Sequence, residues 1–154
     1  MSLRLGDLTA PIVGAPMAGG PSCPALVAAV SNAGGLGFLA AGYLSASRFA
    51  EEIAAARTLT AGPIGVNLFV PQPCVATDAQ LTDYRAALDP LARRYGVEPG
   101  MFRPDDDGWQ AKLDAVADTA PDAVSFTLGC PSPDVLTRLR RRGVLTLVTV
   151  TSRA

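Results

Sequence analysis

Short, nearly continuous apolar runs alternate along this chain with longer alanine-rich stretches in which apolar residues recur every three or four positions. The first pattern predicts strands covered on both faces, the second helices with one buried stripe, and their alternation predicts βαβ units in a parallel sheet. Residues 11–15 read as the first strand, ended by Pro16, which has no N–H to give to a ladder. Ser22 is expected to cap a helix that carries Pro24 in its first turn and Leu26, Val27 and Val30 on its apolar face. Gly34 and Gly35 would close it in left-handed C-terminal positions. Residues 36–40 form a second strand. Ser45 or Ser47 then caps a helix running to about Ala56, with Phe49, Ile53 and Ala56 on one stripe.

Gly62-Pro63 turns the chain into a third strand over residues 64–70, apolar throughout except for Asn67. Between residues 71 and 107 the pattern loosens. Pro71, Pro73, Pro90, Pro99 and Pro104 punctuate it, and only residues 81–95 keep a helical period, as in an elaborated strand-to-helix connection. A helix over 109–117, a fourth strand over 123–128, a helix over 134–142 and a fifth strand over 144–150 complete the reading. The class is α/β, and a chain that stops where a helix should cover its last strand is unusual for a finished domain of that class.

With 154 residues, 49% of them hydrophobic, one globular domain with a real core is expected. The 13 basic and 14 acidic side chains nearly cancel, so neither nucleic acid nor an anionic membrane surface is indicated as a partner. Arg138, Arg140, Arg141 and Arg142 read as a solvated helix face. Cys23, Cys74 and Cys130 form no C-x-x-C pair, which argues against zinc and against a disulfide framework and fits a reducing, cytoplasmic setting. No apolar stretch approaches the roughly 18 residues of a membrane span. The sequence contains no histidine, which removes the commonest general base at neutral pH and the commonest transition-metal ligand; no metal site is expected.

Four segments are candidates for chemistry. Pro11-Ile12-Val13-Gly14-Ala15-Pro16-Met17-Ala18-Gly19-Gly20 runs from a strand directly into a glycine-rich loop. Its small residues let backbone approach a planar ligand at the carboxyl ends of the strands, where parallel barrels bind their ligands; an ordinary tight turn would have the same composition. It lacks the lysine of a P-loop. In Asn32-Ala33-Gly34-Gly35-Leu36-Gly37-Phe38 the glycines sit between a helix and the following strand, at the opposite end of the sheet from a phosphate-binding turn, so they read as packing positions. Asn67, in Gly65-Val66-Asn67-Leu68-Phe69, needs a partner, because a buried unpaired amide costs about 1–3 kcal/mol. A ligand or the neighbouring backbone would serve equally. Cys130, in Val124-Ser125-Phe126-Thr127-Leu128-Gly129-Cys130-Pro131, has no histidine to activate it and reads as a packed or incidental thiol rather than a nucleophile.

In this order, Pro16-Met17-Ala18-Gly19-Gly20, the run from Asn32 to Gly37 followed by Gly42-Tyr43, Gly65-Val66-Asn67-Leu68-Phe69, and Val124-Ser125-Phe126 with Gly129 and Pro131 resemble the nitronate monooxygenase family, once called 2-nitropropane dioxygenases. The resemblance covers nearly the whole chain. It implies a TIM (β/α)8 barrel that holds FMN at its carboxyl-terminal rim and oxidises nitronates with dioxygen through one-electron transfer to the flavin. By that resemblance residues 1–154 are the N-terminal part of the barrel, about the first five strands with their helices. Ala15, Pro16, Met17, Ala18 and Gly19 would lie against the isoalloxazine ring, and the Asn67 side chain would hydrogen-bond to FMN. Thr127, Gly129 and Thr149, at strand ends on the same rim, would be further cofactor neighbours.

The family's catalytic histidine and the glycine-rich loops for the FMN phosphate follow the fifth strand and are not in this sequence. No catalytic residue is therefore assigned, and the chain alone is expected to be inactive. A full barrel takes about 250 residues and eight strands. Five strands leave two open edges, and each large apolar residue left uncovered forfeits about 1.5–3 kcal/mol. A truncated product, a complementing chain or self-association is the expectation. Two other functions fit the pattern: a flavin-dependent enoyl reductase on the same barrel, drawing hydride from a nicotinamide cofactor, and a non-catalytic remnant acting only through association of its sheet edge.

Overall fold

In the computed structural model, which describes residues 3–152, five parallel strands lie side by side in sequence order. They are β1 (Val13–Gly14), β2 (Leu36–Ala40), β3 (Ile64–Phe69), β4 (Ala123–Thr127) and β5 (Leu145–Val148). Helices α1 (Pro24–Asn32), α2 (Ala46–Leu59), α3 (Asp78–Tyr95), α4 (Trp109–Thr119) and α5 (Pro133–Arg141) fill the connections. A parallel sheet whose order never reverses is wound like a barrel, whereas a doubly wound sheet reverses at its switch point. The fold is α/β, part of a (β/α)8 barrel. The described residues divide into two compact units, one formed by the chain up to Pro71 together with that from Asp106 onward, the other by Gln72–Asp105.

The elements follow the hydrophobic pattern, with differences that have local causes. β1 is confined to Val13–Gly14 instead of residues 11–15. Ser22 does not cap α1. The N-cap is Cys23, whose side chain makes no capping bond, and the Ser22 hydroxyl turns instead to the preceding loop. At the other end of α1 only Gly34 is left-handed (φ +90°). Gly35 is instead required by space, since a Cβ there would stand 2.7 Å from the Ile12 carbonyl oxygen. Ser45, not Ser47, caps α2, accepting the Arg48 N–H. β4 stops at Thr127 because Leu128 turns left-handed (φ +70°), and β5 spans Leu145–Val148 only.

In the smaller unit α3 begins three residues before the expected start at Leu81. Thr77 and Gln80 form a reciprocal capping box that satisfies two backbone donors there. The helix runs through Pro90, which has no N–H for the Ala86 carbonyl, and ends at left-handed Gly96.

The sheet buries a different core on each face. Leu39, Val66, Leu68, Val124 and Phe126 pack against Val27 of α1, Phe49 and Ile53 of α2, Leu113 and Val116 of α4 and Leu139 of α5. On the opposite face Leu36, Phe38 and Ala123 cluster with Leu3, Leu8, Leu145 and Leu147. The register aligns Phe38 with Gly65, Gly65 with Ala123 and Ala123 with Leu145, so these side chains form one layer on that second face. Gly65 is glycine because the Phe38 ring lies over it; a Cβ would come within 2.5 Å of the ring. Two residues further along every strand, the next layer contains Ala40, Asn67, Ser125 and Leu147. An apolar floor therefore gives way to a layer with two polar side chains, Asn67 and Ser125, toward the carboxyl ends of the strands.

Outside the sheet, Lys112 of α4 is the one buried cation among the described residues, 1% exposed. Its Nζ stands 2.7 Å from Asp107 Oδ1, but it forms no well-directed hydrogen bond among the described residues. The same carboxylate oxygen accepts the Tyr43 N–H at 3.0 Å. Tyr43 and Asp107 are both left-handed (φ +68° and +56°), so this ion pair ties together two unusual loop conformations.

Candidate functional site

Asn67 lies in the fourth position of β3, and strand alternation puts it on the face shared by Ser125 and Thr127 of β4. It is 4% exposed and its amide is fully committed on one side. Nδ2 lies 2.7 Å from Thr127 Oγ1, 2.9 Å from Ser125 Oγ and 3.2 Å from the Ser125 carbonyl oxygen. The carbonyl can only accept, so it fixes which end of the amide carries the hydrogens. Oδ1 accepts no hydrogen bond among the described residues. The neighbouring strand therefore meets the amide's need for a partner at Nδ2 and leaves an oriented acceptor.

That side chain forms part of the wall of a cavity of about 440 Å³ at the carboxyl ends of the strands. Pro16 and Ala18 border it from the loop after β1, Phe38 and Phe69 from β2 and β3, Ser125 and Thr127 from β4, and Leu147 and Thr149 from the end of β5. No ionisable side chain is in its lining. It can therefore bind and orient a neutral, largely apolar ring by a few directed hydrogen bonds, but it contributes no acid or base. Asp114, whose carboxyl is held below the ordinary range by hydrogen bonds from Arg138 and then Gln110, belongs to α4 and is not in this wall.

The loop after β1 has a specific architecture. The Ser22 hydroxyl accepts the Met17 N–H at 2.8 Å and donates to the Ala15 carbonyl at 3.4 Å. Gly19 and Gly20 adopt φ +87° and +116°, where any other residue would be strained, although a Cβ would meet nothing within 4 Å. Pro16 has no N–H, and the N–H groups of Ala18, Gly19 and Gly20 make no hydrogen bond among the described residues. Of these three residues, Ala18 borders the same cavity as Asn67.

Of the residues singled out in the sequence, Pro16, Ala18, Asn67, Thr127 and Thr149 come together around this one cavity. Ala15, Met17 and Gly19 belong to the same loop without lining it; the first two are engaged by Ser22, and Met17 is 44% exposed. Gly129 borders an adjacent depression of about 500 Å³, which also reaches Thr127, Cys130 and Thr149. The Cys130 thiol is exposed, so of the two non-nucleophilic readings, packed or incidental, it is not the packed one; those of Cys23 and Cys74 are exposed as well. Sequence reasoning gives no role in the site to Ser125, Phe38 or Phe69, and reads Ser22 only as a helix cap. Ser125 was recoverable, since it sits two residues before Thr127 on the same strand and so shares its face. Nothing in the sequence separates the loop-pinning Ser22 from an ordinary helix cap. Among the described residues, no helix is long and apolar enough to cross a membrane and no group of three potential ligands could hold a metal ion.

Comparison with known proteins gives a consistent result. The family model described as nitronate monooxygenase matches residues 3–154. A probable nitronate monooxygenase of Staphylococcus saprophyticus is 38% identical over 143 residues, covering 92% of this chain and 40% of the relative. One from Staphylococcus aureus is 35% identical over the same shares. Among solved structures, nitroalkane oxidase from Streptomyces ansochromogenes superposes with a TM-score of 0.90 at 47% identity, over 96% of this chain and 42% of that one. FabK from Thermotoga maritima, at 21% identity and a TM-score of 0.66, covers 98% of this chain and 39% of that one and shows the fold alone. The chain thus spans about 40% of the length of the relatives it matches.

Proposed function

Because the chain belongs to the nitronate monooxygenase family, we propose that it provides the flavin-holding wall of an FMN-dependent enzyme that oxidises nitronates with dioxygen. The observation that carries this reading is Asn67, an amide locked at Nδ2 by Ser125 and Thr127 with its Oδ1 left to accept at the cavity wall. The isoalloxazine ring of FMN is planar and largely apolar, with N–H donors and carbonyl and ring-nitrogen acceptors on its edge. Such an edge fits a wall that presents one fixed acceptor, a residue with a spare backbone N–H at Ala18, and apolar surface from Phe38 and Leu147. When bound, FMN would supply one-electron redox chemistry between the nitronate and dioxygen.

This chain's residues then bind and orient. Asn67 sets the rotation of the ring in its own plane, the loop at Pro16 and Ala18 limits one side, and Phe38 and Phe69 exclude water from below and from the flank. The lining holds no ionisable group, so an acid–base residue for the reaction has to come from outside this wall.

Titrating the purified chain with FMN, followed by flavin absorbance and fluorescence quenching, tests the reading. Saturable binding is expected, and Asn67→Leu is expected to weaken it by about tenfold or more, the equivalent of one buried hydrogen bond to the ligand. Far-UV circular dichroism confirms that the variant is folded. Equal affinity in folded Asn67→Leu would rule out the assigned contact. Dioxygen uptake on addition of a nitronate then tests turnover.

A further inference from the structure

We propose that Ser22 is a positioning residue of the cofactor site, which holds the loop after β1 so that Ala18, and not Met17, presents a backbone donor to the ligand. The inference rests on the flavin reading given above but concerns a residue outside the cavity lining. Ser22 is 8% exposed and precedes α1. Its hydroxyl is used in both directions, accepting from Met17 N–H and donating to the Ala15 carbonyl. Between those two groups stands Pro16, which has no N–H, so the hydroxyl closes a small ring over a segment that forms no ladder beyond Gly14.

This ring has a chemical consequence. A loop of this kind has four consecutive N–H groups after the proline, at Met17, Ala18, Gly19 and Gly20, and a ligand would compete for any of them. Ser22 withdraws the first. Of the rest, only Ala18 belongs to a residue that lines the cavity, and its N–H makes no hydrogen bond among the described residues. Gly19 and Gly20, both left-handed, carry the chain away toward α1. The donor facing the ring is thereby defined by a side chain that never touches it. The Met17 side chain is left 44% exposed, while its backbone N–H is held by Ser22.

The test compares the unsubstituted chain with Ser22→Ala and Ser22→Thr. In the absence of flavin, amide exchange is read at Met17; it should accelerate at least tenfold in Ser22→Ala and stay near the original rate in Ser22→Thr, which retains the hydroxyl. On titration with FMN, Ser22→Ala should bind about tenfold more weakly and shift the visible bands of the bound flavin, with Ser22→Thr restoring both. A general loss of stability would not move the band positions, and the thermal midpoint measured alongside detects it. Wild-type affinity and spectrum in Ser22→Ala, or equal loss in both variants, would overturn the assignment. Should the unsubstituted chain take up no FMN, the flavin reading fails while the pin is still decided: unchanged Met17 exchange in Ser22→Ala overturns it, and selective acceleration there upholds it.

Discussion

Removing either partner of the Asp107–Lys112 pair should have sharply unequal consequences. The Lys112 ammonium is 1% exposed and 2.7 Å from the carboxylate, whereas the Asp107 side chain is 23% exposed and also holds the Tyr43 N–H. Asp107→Asn keeps the shape, the left-handed preference and an acceptor for Tyr43, and removes only the charge. It leaves the buried ammonium uncompensated, which costs about 3–5 kcal/mol. At roughly 2–4 °C of melting temperature per kcal/mol for a chain of this size, the midpoint should fall by about 6–20 °C. Lys112→Met removes the charge at nearly constant volume and leaves a carboxylate that water still reaches, so it should cost less than about 1.5 kcal/mol or stabilise the chain. The double variant should recover most of the loss, with a coupling of about 2–3 kcal/mol. Urea unfolding monitored by circular dichroism for all four proteins closes the cycle. Comparable effects of the two single substitutions, or none from Asp107→Asn, would show that the ammonium is solvated and that the argument from burial is wrong.

Two further tests address the packing of the sheet and the surface charge. Gly37→Ala should destabilise by about 3 kcal/mol in chemical unfolding, because its Cβ would stand 2.5–2.7 Å from backbone atoms of Val27 in α1; Gly6→Ala, where a Cβ meets nothing within 4 Å, is the neutral control. The Arg138–Asp114 contact should stabilise in a pH-dependent way. Hydrogen bonds from Arg138 and Gln110 hold the folded Asp114 carboxyl below its usual range. Its contribution is therefore present above the unfolded aspartate value and disappears as the pH falls through the folded one. The small difference in thermal midpoint between the native chain and Arg138→Gln should vanish in acid and shrink in salt; a difference that persists in acid would mean packing and not charge.

The strands were legible because burial on both faces leaves an uninterrupted apolar run. Residues 36–40 were read to the residue, and 64–70 and 123–128 each to within one. The errors occur where a single atom decides. Leu128 ends β4 by a left-handed turn that its sequence does not advertise, and α3 starts early because Thr77 and Gln80 cap each other, a signal present as a Thr-x-x-Gln spacing but overshadowed by the later apolar period. The glycines around residues 34–37 show the other side of the same point. Composition alone allowed a phosphate loop, and only their position between a helix and a strand excluded it. In the folded chain Gly35 and Gly37 leave room for the Ile12 carbonyl and the α1 backbone.

The candidate site was legible only where it coincided with a conspicuous residue. Asn67 stood out as the one strongly polar position in an apolar strand, and Pro16 and Ala18 as part of a small-residue loop; all three border the cavity. What escaped is the set of residues that make those groups useful. Ser125 and Thr127 turn Asn67 from a buried liability into an oriented acceptor, and that depends on a cross-strand register between residues 58 and 60 positions apart. Ser22 acts by the same logic within a single loop, through a hydroxyl that a sequence reader assigns to the helix it precedes. In both cases the residue at the cavity is recognised by its type, while the residue that orients it is recognised only by its hydrogen bonds. A search for function in related sequences should therefore weigh a hydroxyl at positions 22, 125 and 127 as heavily as the amide at 67, since losing any of them leaves the motif readable but removes a hydrogen bond that orients it.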